Sequence, residues 1–525
     1  MWLKMLPFVL LIFLIMKPVE NANILFVTTF PSVSHQSAFQ PIWRELSLRG
    51  HKVTVICSHP LKDKSLTNLT EIDLGGMRKQ AMNKMPKDLM KYMTQKPTFL
   101  MTFTKDMIAT SLFSEMNKRI LEHEEVQKVI KGNQKFDLVI AEWLFPTVSA
   151  FSVRFNCPLI GMTSLGAPIV ALDTVGNPSH PILSPDHNLP IGRDLSFRDR
   201  ILSTLYSVYV RVYYHWVVLP REDRTIKKIF GEHMPYIGDI ERTVSLILLN
   251  RNTVFHKIMP VLPNVIELGG VRNVKVQKPL EPELKKFLDN SKNGVVYFSL
   301  GSNVLSSNLP EDLIEKYIKV FEQIPYNVLW KWETDKLPRQ PKNVFIHKWL
   351  PQTSVLAHPN VKLFMMQGGL QSMEETINYH VPVIGMPSHS DQTMNVDTAV
   401  KYGFGIGIDF DDITVENLKA AIMEIMTNKS YKENVMHIEK LMNDSPVKGI
   451  DKAIWWIEYV IRHKGAKHLR SPSMDIPWYQ YLLLDVMAVI FSVLALLIFI
   501  IYKLAKLSVH LYRMLFCKKS KTKKE

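Results

Sequence analysis

The chemistry-bearing residues of this chain concentrate between His347 and Gln392, which reads HKWLPQTSVLAHPNVKLFMMQGGLQSMEETINYHVPVIGMPSHSDQ. The segment holds a Trp-Leu-Pro-Gln turn (Trp349, Gln352), a strand, and a Gly-Gly turn (Gly368, Gly369) that opens a helix. An acid on that helix (Glu375) and an Asp-Gln loop after the next strand (Asp391, Gln392) complete it. Paired glycines let a backbone come close to an anion, and the N–H groups around Gln371 and Ser372 then point at it with the positive end of the helix. A diphosphate fits that description. Glu375 lies three residues beyond Ser372 and can accept hydrogen bonds from a ribose diol. Trp349 offers a flat face for a base, and Asp391 and Gln392 offer acceptors and donors suited to sugar hydroxyls.

These side chains converge only if strands and helices alternate around them. Asn23 to Phe30 is an apolar β-rich run, followed by the loop PSVSHQS, a helical stretch from Phe39 to Leu48 and a second β-rich run, RGHKVTVICS. That is a β, α, β unit with a crossover long enough for a parallel pair. With Phe136 to Ala141 as a third strand, the first half reads as a doubly wound sheet, whose ligands belong at strand C-terminal ends. GVVYFSLGSNV, the amphipathic EDLIEKYIKVFEQI and YNVLWKW start a second such unit, continued by strands at Val344 to Ile346, Val361 to Met365 and Val381 to Gly385. The expected α/β architecture is two Rossmann-like domains, 23–278 and 279–450, facing across a cleft. A closing helix at Lys452 to Lys464 and a linker fill 451–477. Residues 195–220, dense in Tyr, Trp, Val and Leu, are read as core helices, because aromatic residues at helical spacing usually pack. A surface set against lipid is the other reading.

At 525 residues, 46% hydrophobic and 22% charged, the chain is too long for one core and too apolar to be disordered. Cys57, Cys157 and Cys517 form neither a disulfide framework nor a zinc pattern. The net charge of +15 is uneven: residues 503–525 carry +7, leaving +8 for the other 502. With the excess in a tail rather than a groove, nucleic acid is not the implied partner.

Lys4 precedes an apolar run from Met5 to Met16 too short to span about 30 Å of hydrocarbon, the grammar of a signal peptide over 1–22. Leu482 to Tyr502 is apolar apart from Asp485 and Ser492 and long enough to cross. Trp478, Tyr479 and Tyr481 stand where an aromatic belt belongs, and the basic 503–525 follows on the cytosolic side, which places the body in a lumen or outside the cell. Lys521 and Lys523 have the spacing of a dilysine retrieval signal, with a polybasic tail at anionic lipid as the alternative. Sequons at Asn68, Asn428 and Asn443 are compatible with a lumenal body.

The order W-x-P-Q, H-P, G-G-x-x-S-x-x-E, V-P, D-Q resembles the signature of the family-1 UDP-glycosyltransferases, which include the UDP-glucuronosyltransferases, and the likeness extends over almost the whole chain. It implies a GT-B fold, inverting displacement at the anomeric carbon, an acceptor site in the first domain and a UDP-sugar site in the second. The leader, single span and dilysine ending are similar to the animal endoplasmic-reticulum branch. One departure stands out: Met366 and Gln367 occupy the place of the usual Thr-His. Gln367 still offers a neutral donor to phosphate, and Gln-Gly-Gly-Leu-Gln-Ser blocks resemble insect members, so altered donor contacts with retained activity are expected.

The resemblance also assigns the catalytic pair. The family's base is a histidine after the first strand, here His35 in the loop, and an unprotonated imidazole suits removal of a proton from an attacking alcohol or phenol. Its partner is commonly an Asp after the third strand, here Glu142, one methylene longer. Asp137 is expected to support the strand start instead. Ser302, in FSLGSN, matches a phosphate-contacting position. The Asp409, Asp411, Asp412 string precedes Thr414 and a helical pattern, so it reads as capping rather than as a metal site, and no metal or other cofactor is expected beside the UDP-sugar co-substrate.

The implied activity is metal-independent transfer of a hexose, glucose ahead of glucuronate, to a hydroxyl of a small lipophilic acceptor by a membrane-anchored enzyme. Homo- and hetero-oligomers are both compatible with it. The Gln367 and Glu142 departures also fit a non-catalytic lipophile-binding protein on the same fold.

Overall fold

The computed structural model describes residues 21–77, 92, 95, 98–271, 279–302 and 304–516. The chain divides into two compact units, one ending at Arg470 and one beginning at Ser471.

The first unit contains two parallel sheets. Seven strands run in the order β3-β2-β1-β4-β5-β6-β7: β1 (Asn23–Val27), β2 (Lys52–Cys57), β3 (Leu69–Asp73), β4 (Leu138–Glu142), β5 (Leu159–Thr163), β6 (Leu246–Leu249) and β7 (Val265–Glu267). Six more run β10-β9-β8-β11-β12-β13: β8 (Val295–Ser299), β9 (Asn327–Lys331), β10 (Val344–His347), β11 (Val361–Met366), β12 (Val383–Gly385) and β13 (Gly405–Gly407). The central strands are buried along their whole length because helices cover both faces, which is why they read as unbroken Val, Ile and Leu runs.

Strand order reverses between β1 and β4 in the first sheet and between β8 and β11 in the second. At such a switch point the connections leave in opposite directions and open a crevice at the strand C-terminal ends. Val27 lies beside Ala141 in one sheet and Met366 beside Ser299 in the other. His35 and Glu142 therefore emerge together at one crevice, and Ser302 and the Gly-Gly turn at the second. Asp137 starts the first pair: its carboxylate accepts the Asn23 N–H at 2.7 Å.

The helices that matter for the site are α1 (Val33–Leu48), α2 (Phe99–Leu121), α3 (Phe197–Tyr213), α4 (Leu219–Phe230), α5 (Glu311–Glu322), α6 (Leu370–Asn378), α7 (Gln392–Lys401) and α8 (Gly449–Arg462). α1 starts six residues before the expected Phe39, so His35 belongs to its first turn and not to a loop. The early turn is held by Gln36, fully buried, whose amide spans from Phe30 O to Ser58 Oγ and accepts the N–H groups of Ser58 and His59. β1 is likewise shorter than expected, because the Phe30 N–H turns away to the Glu142 carboxylate.

α8, the expected closing helix, packs Ala453, Ile454, Ile457 and Val460 into the core built on Ile24 and Val53 of the first sheet and Trp43 of α1. Residues 195–220 depart from the core reading. α3 buries only Leu202, Ser203, Tyr206 and Ser207, while Phe197, Ile201, Leu205, Val208 and Val212 stay exposed, and a π-helical turn, Tyr214–Val218, joins it to α4. Aromatic spacing identified one packed face and said nothing of the other.

In the second unit, α9 (Leu484–Phe516) is 33 residues long and apolar enough, by length and composition, to cross a membrane, which fits a single-pass anchor. It continues 14 residues past the expected end at Tyr502. Most of the signal-peptide segment, together with Cys517, Lys521 and Lys523, lies outside the described residues.

Candidate active site

The crevices of the two sheets open into one cavity of about 1540 Å³. His35 and Phe145 line it from the first domain; Ser302, Trp349, Gln352, Gln367, Gly369, Gln371, Ser372, Glu375, Asp391 and Gln392 line it from the second. Glu142 and Gly368 stand behind that lining. His35 Nδ1 lies 2.9 Å from Glu142 Oε1, and the second carboxylate oxygen accepts the Phe30 N–H at 3.2 Å. Glu142 is 1% exposed. A carboxylate at that distance fixes the tautomer: Nδ1 carries the proton, and Nε2 is the basic nitrogen of a ring that lines the cavity. The Phe30 ring, with its centroid 4.5 Å from that of His35, limits how the imidazole can turn.

Opposite stands the turn that opens α6. Gly368 takes φ +92, a conformation that side chains disfavour. Gly369 has an ordinary φ of −63, and a Cβ built on it meets nothing within 4 Å. Its lack of a side chain leaves open space beside the helix start. Gly369, as the cap residue, offers α6 no side chain, and the Met373 N–H, on Gly369 O at 3.0 Å, is the first to close a helical bond. The Leu370 N–H is taken by the Asp391 carboxyl, which leaves the N–H groups of Gln371 and Ser372, with the helix dipole, at the open space beside Gly369.

Gln352 ties the neighbouring groups together. Its amide donates to Ser372 Oγ at 2.9 Å and Glu375 Oε2 at 2.7 Å, while Tyr297 OH donates to its carbonyl at 3.2 Å. Glu375 is thus oriented by a neutral donor and keeps acceptor capacity toward a diol. Trp349 is half exposed with the Lys331 ammonium 5.7 Å from its ring centre, leaving a face for a planar ligand. Gln367 leans on the Gly301 turn, and its buried Oε1 has no hydrogen-bond partner among the described residues.

Four side chains have duties that their spacing did not announce. Gln371 donates to Ser164 O at 2.8 Å, so its amide joins the two domains. Asn250 adds to that seam by donating to Glu374. Gln392 spends its carbonyl on the N–H groups of Ser388 and His389, which shapes the loop and leaves only its NH2 for a ligand. One Asp391 oxygen accepts from Asn395 at 2.6 Å; burial pushes this carboxyl up, against the pull of His187 and His35.

His187, His389 and Lys105 also line the cavity and escaped the sequence reading. His389 stood inside the PSHSDQ block. His187 and Lys105 sit in no motif and are brought in only by tertiary packing. Burial pushes His389 down to about 4, so it is neutral near pH 7, and Lys105 down to about 8. The Asp409 string supplies one residue to the cavity wall, while Thr414 caps the next helix by bonding the Asn417 N–H. Asn68, Asn428 and Asn443 are exposed.

The family model described as "UDP-glucoronosyl and UDP-glucosyl transferase" matches residues 23–522. The chain belongs to this UDP-glycosyltransferase family. It is 33% identical to UDP-glycosyltransferase UGT5 of Dactylopius coccus, across 93% of this chain and 92% of that one. It is 32% identical to UDP-glucosyltransferase 2 of the same organism, across 95% of each chain. With UDP-glucuronosyltransferase 2B7 of Homo sapiens it shares 29% identity across 90% of each. Among solved structures, TcCGT1 in complex with UDP superposes with a TM-score of 0.54 at 16% identity, covering 85% of this chain and 100% of that one. A glycosyltransferase of kitacinnamycin gives 0.56 at 16% identity, with the same coverage. The fold is GT-B, and the protein is a glycosyltransferase that moves a sugar from a UDP-sugar to an acceptor.

The wall of this UDP-glycosyltransferase behind α3 contains a pH-sensitive support. Tyr214, which lines the cavity, donates its hydroxyl to Glu241, whose carboxyl burial pushes up to about 8. An acid held above its usual 4.5 binds its proton more tightly when folded. The associated stability is complete below about pH 4.5 and lost as the pH rises to about 8. Glu241→Gln should therefore melt several degrees above the parent near pH 8.5 and show no gain near pH 4.5, by calorimetry at both values.

Proposed function

We propose that this enzyme transfers glucose from UDP-glucose, with inversion, to the hydroxyl of a small lipophilic acceptor, with UDP-glucuronate as the close alternative donor. His35 Nε2 takes the hydroxyl proton as the acceptor oxygen bonds to the anomeric carbon, while the bond from that carbon to the diphosphate oxygen breaks and the electron pair leaves with UDP. Glu142 holds the imidazole and stabilises the imidazolium. Gly368, Gly369 and the start of α6, with Ser302 and Gln367, receive the charge on the diphosphate. Trp349 and Gln352 hold the base, Glu375 the ribose, and Asp391 and Gln392 the sugar. Residues 23–278 bind the acceptor and 279–450 the donor, closed by 451–477.

The observation that carries this reading is the 2.9 Å His35–Glu142 pair on one wall of a cavity whose other wall is the α6 turn. The test is incubation of membranes containing the full chain with labelled UDP-glucose or UDP-glucuronate and a panel of phenols. Donor binding with no product from any acceptor would leave the lipophile-binding alternative instead.

Neutral His389 beside the Asp391–Gln392 loop favours an uncharged sugar. The charge of Lys105 reaches that loop and would serve a carboxylate. Lys105→Met should leave the KM for UDP-glucose within about twofold, and a rise of about tenfold or more in the KM for UDP-glucuronate would assign the carboxylated donor. Turnover is expected to persist in excess EDTA, because the helix N-terminus and neutral donors supply the charge stabilisation; loss restored by Mg²⁺ would refute metal independence.

The anchor, the basic tail and the three exposed sequons support a type I protein of the endoplasmic reticulum membrane with a lumenal body. Glycosidase-sensitive mass at Asn68, Asn428 or Asn443 in intact microsomes checks that orientation.

A further inference from the structure

α2 runs along the cavity and gives a measure of its length. Thr102, Asp106, Ala109, Thr110, Phe113 and Met116 all line it, which sets them on one face of the helix. The centre of the Phe113 ring lies 4.9 Å from that of Phe30, and the Phe30 ring lies 4.5 Å from His35. Phe113 therefore marks the end of α2 at which an acceptor hydroxyl meets the base. Asp106 stands seven residues earlier, two turns back on the same face and about 10 Å along the axis.

Asp106 is an acid without a counter-charge. Among the described residues no cation acts on it. Lys105, one position back and about 100° around the helix, sends its ammonium to Gln95 O and to the Tyr92 ring, 5.5 Å from the ring centre. One Asp106 oxygen accepts the hydroxyl of the fully buried Tyr206 at 3.1 Å. The charge that does reach it is that of a second acid, Asp186, whose carboxylate is fixed by the N–H groups of Ile169 and Asn188, both at 3.0 Å. Burial and the Asp186 charge push the Asp106 carboxyl up to about 6, the direction taken by an acid that lacks a cation.

We propose that Asp106 receives the protonated amine of the acceptor, so that the preferred acceptors are lipophilic alcohols or phenols carrying a basic nitrogen about 10 Å from the reacting hydroxyl. An ammonium supplies the missing partner: it donates a charge-assisted hydrogen bond to the carboxylate and is attracted by Asp186 as well. A carboxylate in the same place would face two acids, and an alkyl end would cover Asp106 without replacing the water that it displaces. Acceptor charge is then read by the first domain, apart from the donor groups of the second. This inference rests on the transferase reading of the cavity, with His35 as the base.

The full chain, saturated with UDP-sugar, is offered para-pentylphenol, para-aminobutylphenol, para-carboxybutylphenol and para-aminomethylphenol, whose nitrogen stops short of Asp106. The kcat/KM of each charged phenol is taken relative to that of uncharged para-pentylphenol. Asp106→Asn, which keeps an oxygen for the Tyr206 hydroxyl, should lower the relative value for para-aminobutylphenol at least about tenfold and change that for para-aminomethylphenol less than about threefold. The value for para-carboxybutylphenol should rise. Thr110→Lys leaves the acid in place and sets an ammonium one turn along α2, so it should lower the para-aminobutylphenol value in the same way. It carries the test alone should calorimetry show Asp106→Asn unfolded. Relative values that move in neither folded variant, or that move equally for the two amines, would overturn the proposal, while product from para-pentylphenol would leave the transferase reading standing. No product from any phenol, with UDP-glucose or UDP-glucuronate, would overturn both.

Discussion

Replacing His35 with alanine should lower kcat by about 10²–10⁴ while the KM for the UDP-sugar stays within about twofold. The asymmetry follows from position. The imidazole stands on the first sheet's wall, bonded at 2.9 Å to a buried carboxylate, while the groups assigned to the nucleotide come from the second sheet. Deleting the ring removes the proton acceptor without touching the donor cradle. Glu142→Gln should approach the same loss: the amide can donate to Nδ1 and so favour the tautomer whose proton sits on Nε2, facing the acceptor. Glu142→Asp keeps the charge but withdraws it by one methylene from a ring held by Phe30, so an intermediate loss is expected. Steady-state kinetics with a phenolic acceptor, alongside calorimetry to confirm folding, distinguish these cases. Normal turnover by His35→Ala would remove the base assignment altogether.

What the sequence disclosed about this enzyme was what local pattern dictates. Continuous apolar runs such as LVIA and VVYF mark strands buried on both faces, and their alternation with amphipathic helices leads to two parallel sheets and to ligands at their C-terminal ends. The Gly-Gly turn, Glu375 and the Asp-Gln loop lie within 25 residues, from Gly368 to Gln392, so one stretch of chain reveals them together. His35 and Glu142 are 107 residues apart, and it was the family resemblance, not their spacing, that paired them. The duties of Gln371 and Gln392 were invisible because a buried amide acts according to the carbonyl or N–H that tertiary packing puts within 3 Å of it, Ser164 O in one case and the Ser388 loop in the other. His187 and Lys105 enter the cavity from segments with no pattern of their own. α1 begins earlier than the expected Phe39 because Gln36 bonds across to Ser58, a contact between helix and neighbouring loop that no local rule contains.

Alanine at Gly368 and alanine at Gly369 should fail in opposite ways. At Gly368 the φ of +92 is strained for any side chain, and an added Cβ would stand 2.5 Å from Val396 Cγ2 and 3.1 Å from Gln392 O. Left-handed strain of about 1–2 kcal/mol and overpacking of about 1–3 kcal/mol both act at the seam between α6 and α7. Gly368→Ala should therefore unfold several degrees lower and lose donor binding, because Gln392 shapes the Ser388–His389 loop. Gly369 already has a φ of −63 that alanine adopts, and its Cβ would meet no protein atom. Gly369→Ala should keep the parent melting temperature yet raise the KM for the UDP-sugar about 10- to 100-fold, since the methyl takes up space meant for phosphate oxygens near the helix N-terminus. Equilibrium binding of UDP, measured beside thermal unfolding for both variants, reads the two effects separately. If Gly369→Ala bound UDP as tightly as the parent, the open space beside α6 would not be the diphosphate site, however well His35 and Glu142 were placed across from it.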